Sequence, residues 1–352
     1  MKTGSISSSA KALLLAALLG VACHGVLAQP DESEADTKAA KSARRSAPAW
    51  MANCEVSAGI SYTSTFDDVA VDDSDAAGAT MKRSRSAAAG CAAPRGQSAA
   101  LASPQIEFQG GDNSERNVQV VDDPDKPGNK VLRFWMQSPN VRNARNQPVK
   151  GRIQMDVYGN RNVTALDVSV RMRLSGGFTT LSEFPKSFSW LTVSEWWNNP
   201  SWLGKNGYPF RISVNLEKPS AASGSPLRWG VHAQMIETGG KKAKFTPVWD
   251  QIASNVDVPI ERWMTVRYSL IEGIGNRGRF RMTVTPDGQP EQVVFDIQDT
   301  THHPDDPHPD GFTHVNPMKL YTSTDVVKFA SRGNSALIID WDDLSMQLPR
   351  TR

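Results

Sequence analysis

The chain has 352 residues, with 39 Lys+Arg against 37 Asp+Glu, and two of those lysines lie in residues 1–28, which hold no acid. The remainder is therefore formally neutral, which speaks against nucleic-acid binding through a broad basic surface. An apolar content of 39% supports a globular core, and ten Trp with 22 Pro suit an extracellular, loop-rich β protein better than a helical one.

Lys2 and Lys11 precede eleven apolar or small residues, 12–22, a length that fits a signal-peptide core and is short for a bilayer span. Val26, Leu27 and Ala28 supply the small residue before a cleaved bond, so cleavage is expected after Ala28. The chain is then secreted or periplasmic, with no membrane segment left. Lipidation at Cys23 is the lesser alternative, because the position three residues before it is not Leu. Cys54 and Cys91 remain, and in an oxidising compartment they are expected to pair.

Residues 29–104 are rich in Ala and Ser and read as low-complexity, disordered sequence, with one alternating strand-like run at 60–66. From 105 to 349 the texture changes. Alternating runs recur at 117–121, 130–136, 152–157, 166–174, 210–216, 227–235, 263–270, 279–285, 292–297 and 336–348. The stretches 123–129 and 286–290 combine Pro, Asp and Gly as turns do. The expected fold is all-β, a two-sheet antiparallel jelly-roll sandwich.

Six tryptophans fall between 190 and 249. The block Glu195, Trp196, Trp197, Asn198 to Trp202 joins rings, amides and a carboxylate in what reads as a loop, and suits a carbohydrate cleft. Period two puts Arg211, Ser213, Asn215 and Glu217 on one face of a strand, and Arg228, Gly230, His232 and Gln234 on one face of another. These types match β-elimination of a uronate polymer, in which the C6 carboxylate is neutralised, a base takes the C5 proton and an acid protonates the leaving oxygen. Arg211 and Gln234 are candidates for the first task, His232 for the base, and Tyr268 or Tyr321 for the acid. Glycoside hydrolysis would need paired carboxylates on one strand; only Asp340 and Asp342 alternate so, in the last strand beside Asp343. That acidic strand suits a structural Ca²⁺, with Asp343 as a ligand, or a capped sheet edge. Residues 301–314 hold four His and three Asp, match no zinc spacing and read as a surface loop near the cleft.

The segments 120–134, 195–212, Pro259 to Trp263, 278–280, 319–323 (Lys319 to Ser323) and 340–343 resemble the concanavalin A-like jelly-roll proteins of bacterial polysaccharide use. The resemblance spans about 105–349. It implies either a lyase of the alginate, heparin or glucuronan type or a lectin-like module, with a polysaccharide as partner and no cofactor required. It draws Lys319 into the candidate cleft. His232 and Gln234 stand in the reverse order to that family's Gln-Ile-His triplet, and 267–273 matches its tyrosine-rich strand poorly. Three readings stand: a lyase acting on an acidic polysaccharide, a glycan-binding module, and an envelope protein stabilised by Ca²⁺ without a glycan ligand.

Overall fold

The structure is a computed structural model that describes residues 52–56, 59–67, 69–73, 75, 78–83, 104–160, 162–198, 207–237 and 244–349. The expected leader, Cys23, Trp202 and Cys91, and with Cys91 the expected bridge, lie outside the described residues. In chain order the strands are β1 (Ala52–Val56), β2 (Gly59–Ser64), β3 (Val69–Asp72), β4 (Gly78–Arg83), β5 (Gln105–Glu107), β6 (Arg116–Asp122) and β7 (Lys130–Met136). There follow β8 (Val141–Arg142), β9 (Pro148–Tyr158), β10 (Ala165–Leu174), β11 (Leu191–Asn198), β12 (Phe210–Glu217), β13 (Arg228–Glu237) and β14 (Lys244–Asp257). The series ends with β15 (Trp263–Ile271), β16 (Arg279–Pro286), β17 (Gln292–Ile297), β18 (His314–Asn316), β19 (Lys319–Ser323), the helix α1 (Thr324–Ala330) and β20 (Leu337–Pro349).

These strands form two antiparallel sheets packed as a sandwich. The nine-stranded sheet runs β1-β2-β20-β10-β15-β16-β17, with β7 on β20 and β6 on β7. The eleven-stranded sheet runs β14-β13-β12-β11-β18-β9-β5-β4-β3, with β19 also between β11 and β9. The inward faces supply one core, in which Ile153, Val214, Val231, Val266 and Met282 are fully buried. The turn chemistry at 286–290 closes the β16–β17 hairpin with Gly288 at φ 74, a conformation that glycine takes without Cβ strain.

The run at 60–66 forms a strand as expected, β2, which pairs with β20 in the nine-stranded sheet, while β4 pairs with β5 in the eleven-stranded one. Strands from before residue 105 therefore belong to both sheets. The block Glu195–Asn198 is not a loop but the end of β11, between β12 and β18. The register slips between Thr192 and Ser194, so the alternation that starts at Leu191 is broken before Glu195 is reached.

Candidate functional site

β12 alternates as its sequence implies, with Phe210, Ile212, Val214 and Leu216 in the core and Arg211, Ser213, Asn215 and Glu217 on the outer face of the larger sheet. Residues in direct register share a face, so the ladders define rows across it. One row runs Tyr158, His314, Trp197, Arg211, Gln234. The next same-face row holds Asn316, Glu195, Ser213 and His232. A further row runs Arg152, Tyr321, Thr192, Asn215, Gly230. On β9 the same period puts Lys150, Arg152, Gln154 and Asp156 outward, while Ile153, Met155 and Val157 enter the core. Gly151 lets β9 lie close to its neighbours, since a Cβ there would fall 2.2 Å from Met136 Sδ.

This outer face is polar and yet largely closed to solvent. Arg211, Glu195, Gln154 and Tyr321 are each 1% exposed. Charges so placed need partners, and the face supplies them. Glu195 accepts from Trp197 Nε1 and from Lys319 Nζ, and Arg211 Nη1 lies 4.0 Å from its Oε1. Arg211 Nη2 donates to Gln234 Oε1, and its guanidinium stands 5.4 Å from the Trp197 ring centre and 4.6 Å from that of Phe245. Glu107 Oε2 accepts from Arg152 Nη2 at 3.2 Å and Gln154 Nε2 at 2.9 Å. Asn215 accepts from Thr192 Oγ1 at 2.8 Å.

Two clusters on the face have the makings of chemistry. At one end Lys150 Nζ donates to the Tyr321 hydroxyl at 3.0 Å. Lys319 Nζ and Arg152 Cζ stand 4.7 and 5.8 Å from the same ring centre, and the half-buried Trp190 meets that ring edge-on at 4.8 Å. At the other end His232 Nε2 lies 2.6 Å from Glu217 Oε1, with the imidazole 22% exposed. Gly230 makes this contact possible, because a Cβ there would sit 1.7 Å from Glu217 Oε1. Burial pushes the Glu217 carboxyl up, and the hydrogen bond from His232 opposes it. Burial also pushes Asp156 well up, reinforced by Glu107, and holds His314 well below the usual imidazole range, with Arg152 and Lys319 acting in the same direction. Both are thereby favoured in their neutral forms.

The expected site residues divide accordingly. Arg211, Gln234, Glu195, Trp197, Asn215, Lys319, Tyr321 and His232 share the outer face. Tyr268 does not: it lies on β15 in the other sheet, 1% exposed in the core, with its hydroxyl 2.9 Å from Ser194 Oγ. Burial raises its phenol strongly, so it is a packing residue with a satisfied hydroxyl rather than an acid facing substrate. Trp196 also turns inward, against Tyr268 at 4.8 Å and Phe280 at 5.7 Å, because adjacent residues of a strand face opposite sides. Asn198 is 2% exposed and donates to Glu272 Oε1 at 2.9 Å, away from the two clusters. Asp343 is exposed at a bulge of β20 with φ 46. Among the described residues no group of three His, Cys, Asp or Glu side chains converges as a metal site.

His232 and Tyr321 do not meet. Tyr321 is in register with Thr192, Asn215 and Gly230, three strand spacings away, and His232 lies two residues beyond Gly230. At ~4.8 Å per strand their Cα atoms are about 15 Å apart, too far to act on one glycosidic bond. The group sequence reasoning missed is Lys150, Arg152 and Gln154. Its signal was present: 150–158 alternates polar and apolar as 210–217 does.

No protein-family model matches the sequence, and no curated protein matches it. Solved structures do. The chain is similar to a double mutant of alginate lyase Aly36B in complex with alginate tetrasaccharide, at 11% identity over 70% of this chain and 88% of that one, TM-score 0.41. It is similar to an endo-β-1,4-glucuronan lyase from the fungus Trichoderma reesei, at 12% identity over 66% and 87%, TM-score 0.38. It is also similar to the exoplasmic/lumenal domain of VIP36 in its Ca²⁺/Man-bound form, at 8% identity over 68% and 84%, TM-score 0.36. At these values the likeness decides nothing about activity.

Proposed function

We propose that the outer face of the larger sheet takes an acidic polysaccharide and cleaves it by β-elimination at the Lys150–Tyr321 pair. The observation that carries this reading is the 3.0 Å contact of an ammonium with a phenolic oxygen, with two further cations around the same ring. Arg152 and Lys319 would exchange their carboxylate partners Glu107 and Glu195 for the substrate carboxylate. Neutralising that group makes the neighbouring C–H acidic. Tyr321, as phenolate held by Lys150, takes the C5 proton. The C–H electron pair forms the C4–C5 double bond, the C4–O bond breaks, and Tyr321 returns its proton to the leaving oxygen. No water is consumed. Trp190, half-buried at the edge of the cluster, offers a ring for a sugar face. Export is proposed on the leader at 1–28 alone.

A second reading, a glycan-binding module without cleavage, draws on the saturation of the face: its cations already hold carboxylates. Incubation with polymannuronate, polyguluronate, glucuronan and a neutral glucan separates the two. The first reading expects ultraviolet absorbance of an unsaturated uronate product, with matching reducing ends, from at least one uronate polymer and none from the glucan. Silence across the acidic polymers overturns it. Retention in affinity electrophoresis without product supports the second.

A further inference from the structure

Two polar atoms flank the Tyr321 ring, both buried and both without a hydrogen-bond partner among the described residues: Gln154 Oε1 and Trp190 Nε1. Gln154 is 1% exposed, and its Nε2 donates to Glu107 Oε2 at 2.9 Å. A carboxylate only accepts, so that contact sets the amide nitrogen toward Glu107 and leaves the carbonyl oxygen with nothing to accept from. Trp190 is anchored by its backbone oxygen, which accepts from Thr322 Oγ1 at 2.7 Å, while the indole N–H goes unused. Orphaned buried groups of this kind cost stability and call for a reason.

Their positions follow from the register. On β9 and β19, Gln154 pairs with Lys319, one same-face row before Tyr321 and Arg152. Trp190 precedes Leu191, which pairs with Thr322, so it stands on the far side of Tyr321, level with Ser323 and Lys150. From Lys150 to Gln154 along β9 is about 13 Å, longer than one sugar ring. Along the strands the order is therefore unused donor, cleavage pair, unused acceptor. Across the strands the outward side chains are already matched: Asn215 with Thr192, Arg211 with Gln234, and Glu217 with His232.

We propose that the polysaccharide lies along β9 and β19, not across the sheet toward His232, and that Gln154 and Trp190 read sugar hydroxyls on the two sides of the cleaved bond. This rests on the Lys150–Tyr321 pair being the point of cleavage, and it narrows the substrate to uronate polymers whose ring hydroxyls are free. A hydroxyl can donate to Gln154 Oε1; a carboxylate, an ether or an O-acetyl group cannot. The indole N–H donates to any ring oxygen, so it holds the chain without selecting its substitution. Gln154 lies beside Lys319, whose Nζ donates to Glu195. When Lys319 turns to the substrate carboxylate, the same sugar brings a hydroxyl to the amide oxygen.

The test is affinity electrophoresis on polymannuronate and glucuronan, each in O-acetylated and de-acetylated form, with the unsaturated product followed in parallel. The natural protein is expected to favour the de-acetylated form. Gln154→Met, which keeps the length of the side chain without its carbonyl, should lose about two- to tenfold of that preference. The preference is a ratio within one protein, so a general loss of folded material leaves it unchanged. Trp190→Phe keeps an aromatic ring, removes a donor that has no partner to lose, and should weaken retention of both forms by a similar factor without changing the preference. Should Gln154→Met not fold, Trp190→Phe still decides. Equal preference in Gln154→Met, or unchanged retention in Trp190→Phe, overturns the two subsites, while cleavage of either polymer leaves the Lys150–Tyr321 reading standing. Absence of both retention and product with every polymer overturns the two together.

Discussion

The two faces of β12 are equally buried and chemically opposite. Inward, Ile212, Val214 and Leu216 are 0% exposed among aliphatic and aromatic neighbours; outward, Arg211, Ser213, Asn215 and Glu217 are 1–2% exposed among hydrogen-bonding ones. A strand with one solvated face would show burial that alternates along with polarity. Here polarity alternates and burial does not. The outer face is therefore a second interior, held together by directed contacts where the first is held by packing. Interiors of these two kinds fail differently. Removing bulk from the apolar one leaves a cavity, while removing one member of a polar set leaves its partner unpaired.

The sharpest break of this comparison is between the two tyrosines. Tyr321→Phe removes the hydroxyl that Lys150 reaches, and on the cleavage reading activity falls about 10²–10⁴-fold, measured by initial rates on the best uronate polymer, with about 1–3 kcal/mol of stability lost at the buried contact. On the apolar side, Trp196→Ala is expected to lower unfolding free energy by about 3–5 kcal/mol in denaturant titration. A variant that kept its stability and lost glycan retention would restore Trp196 to the binding surface. Gly230→Ala forces the Glu217 carboxylate off His232, at a cost of about 1–3 kcal/mol and with loss of the imidazole contact in nitrogen chemical shifts. The smallest effect is expected from Tyr268→Phe, about 1 kcal/mol for the lost Ser194 contact, with the rate of cleavage unchanged. A rate loss in Tyr268→Phe matching that in Tyr321→Phe would erase the distinction between the faces.

Much of the sandwich was legible. The runs at 130–136, 263–270 and 292–297 coincide with β7, β15 and β17 to within a residue, because those strands alternate toward a core on one side. β11 was not legible as a strand, since the register slip after Thr192 breaks its alternation, and β14 was missed with its fourteen residues mostly turned to solvent. Of the candidate site, period two put Arg211, Ser213, Asn215 and Glu217 on one face and His232 with Gln234 on another, while the pairing of Arg211 with Gln234 came from the register of β12 on β13. Nor did period two partition the tyrosines.

By itself the sequence determined the all-β class, the turns and the face to which each side chain of a strand belongs, because these depend on local stereochemistry and period. Which strands become neighbours, and so which side chains of a face touch, was decided only by the tertiary structure. Lys150 meets Tyr321 across 171 residues of chain because β9 and β19 lie side by side in the same sheet. Tyr268 and Tyr321 carry the same chemistry and lie in opposite sheets, a difference set by strand order, which no local pattern encodes.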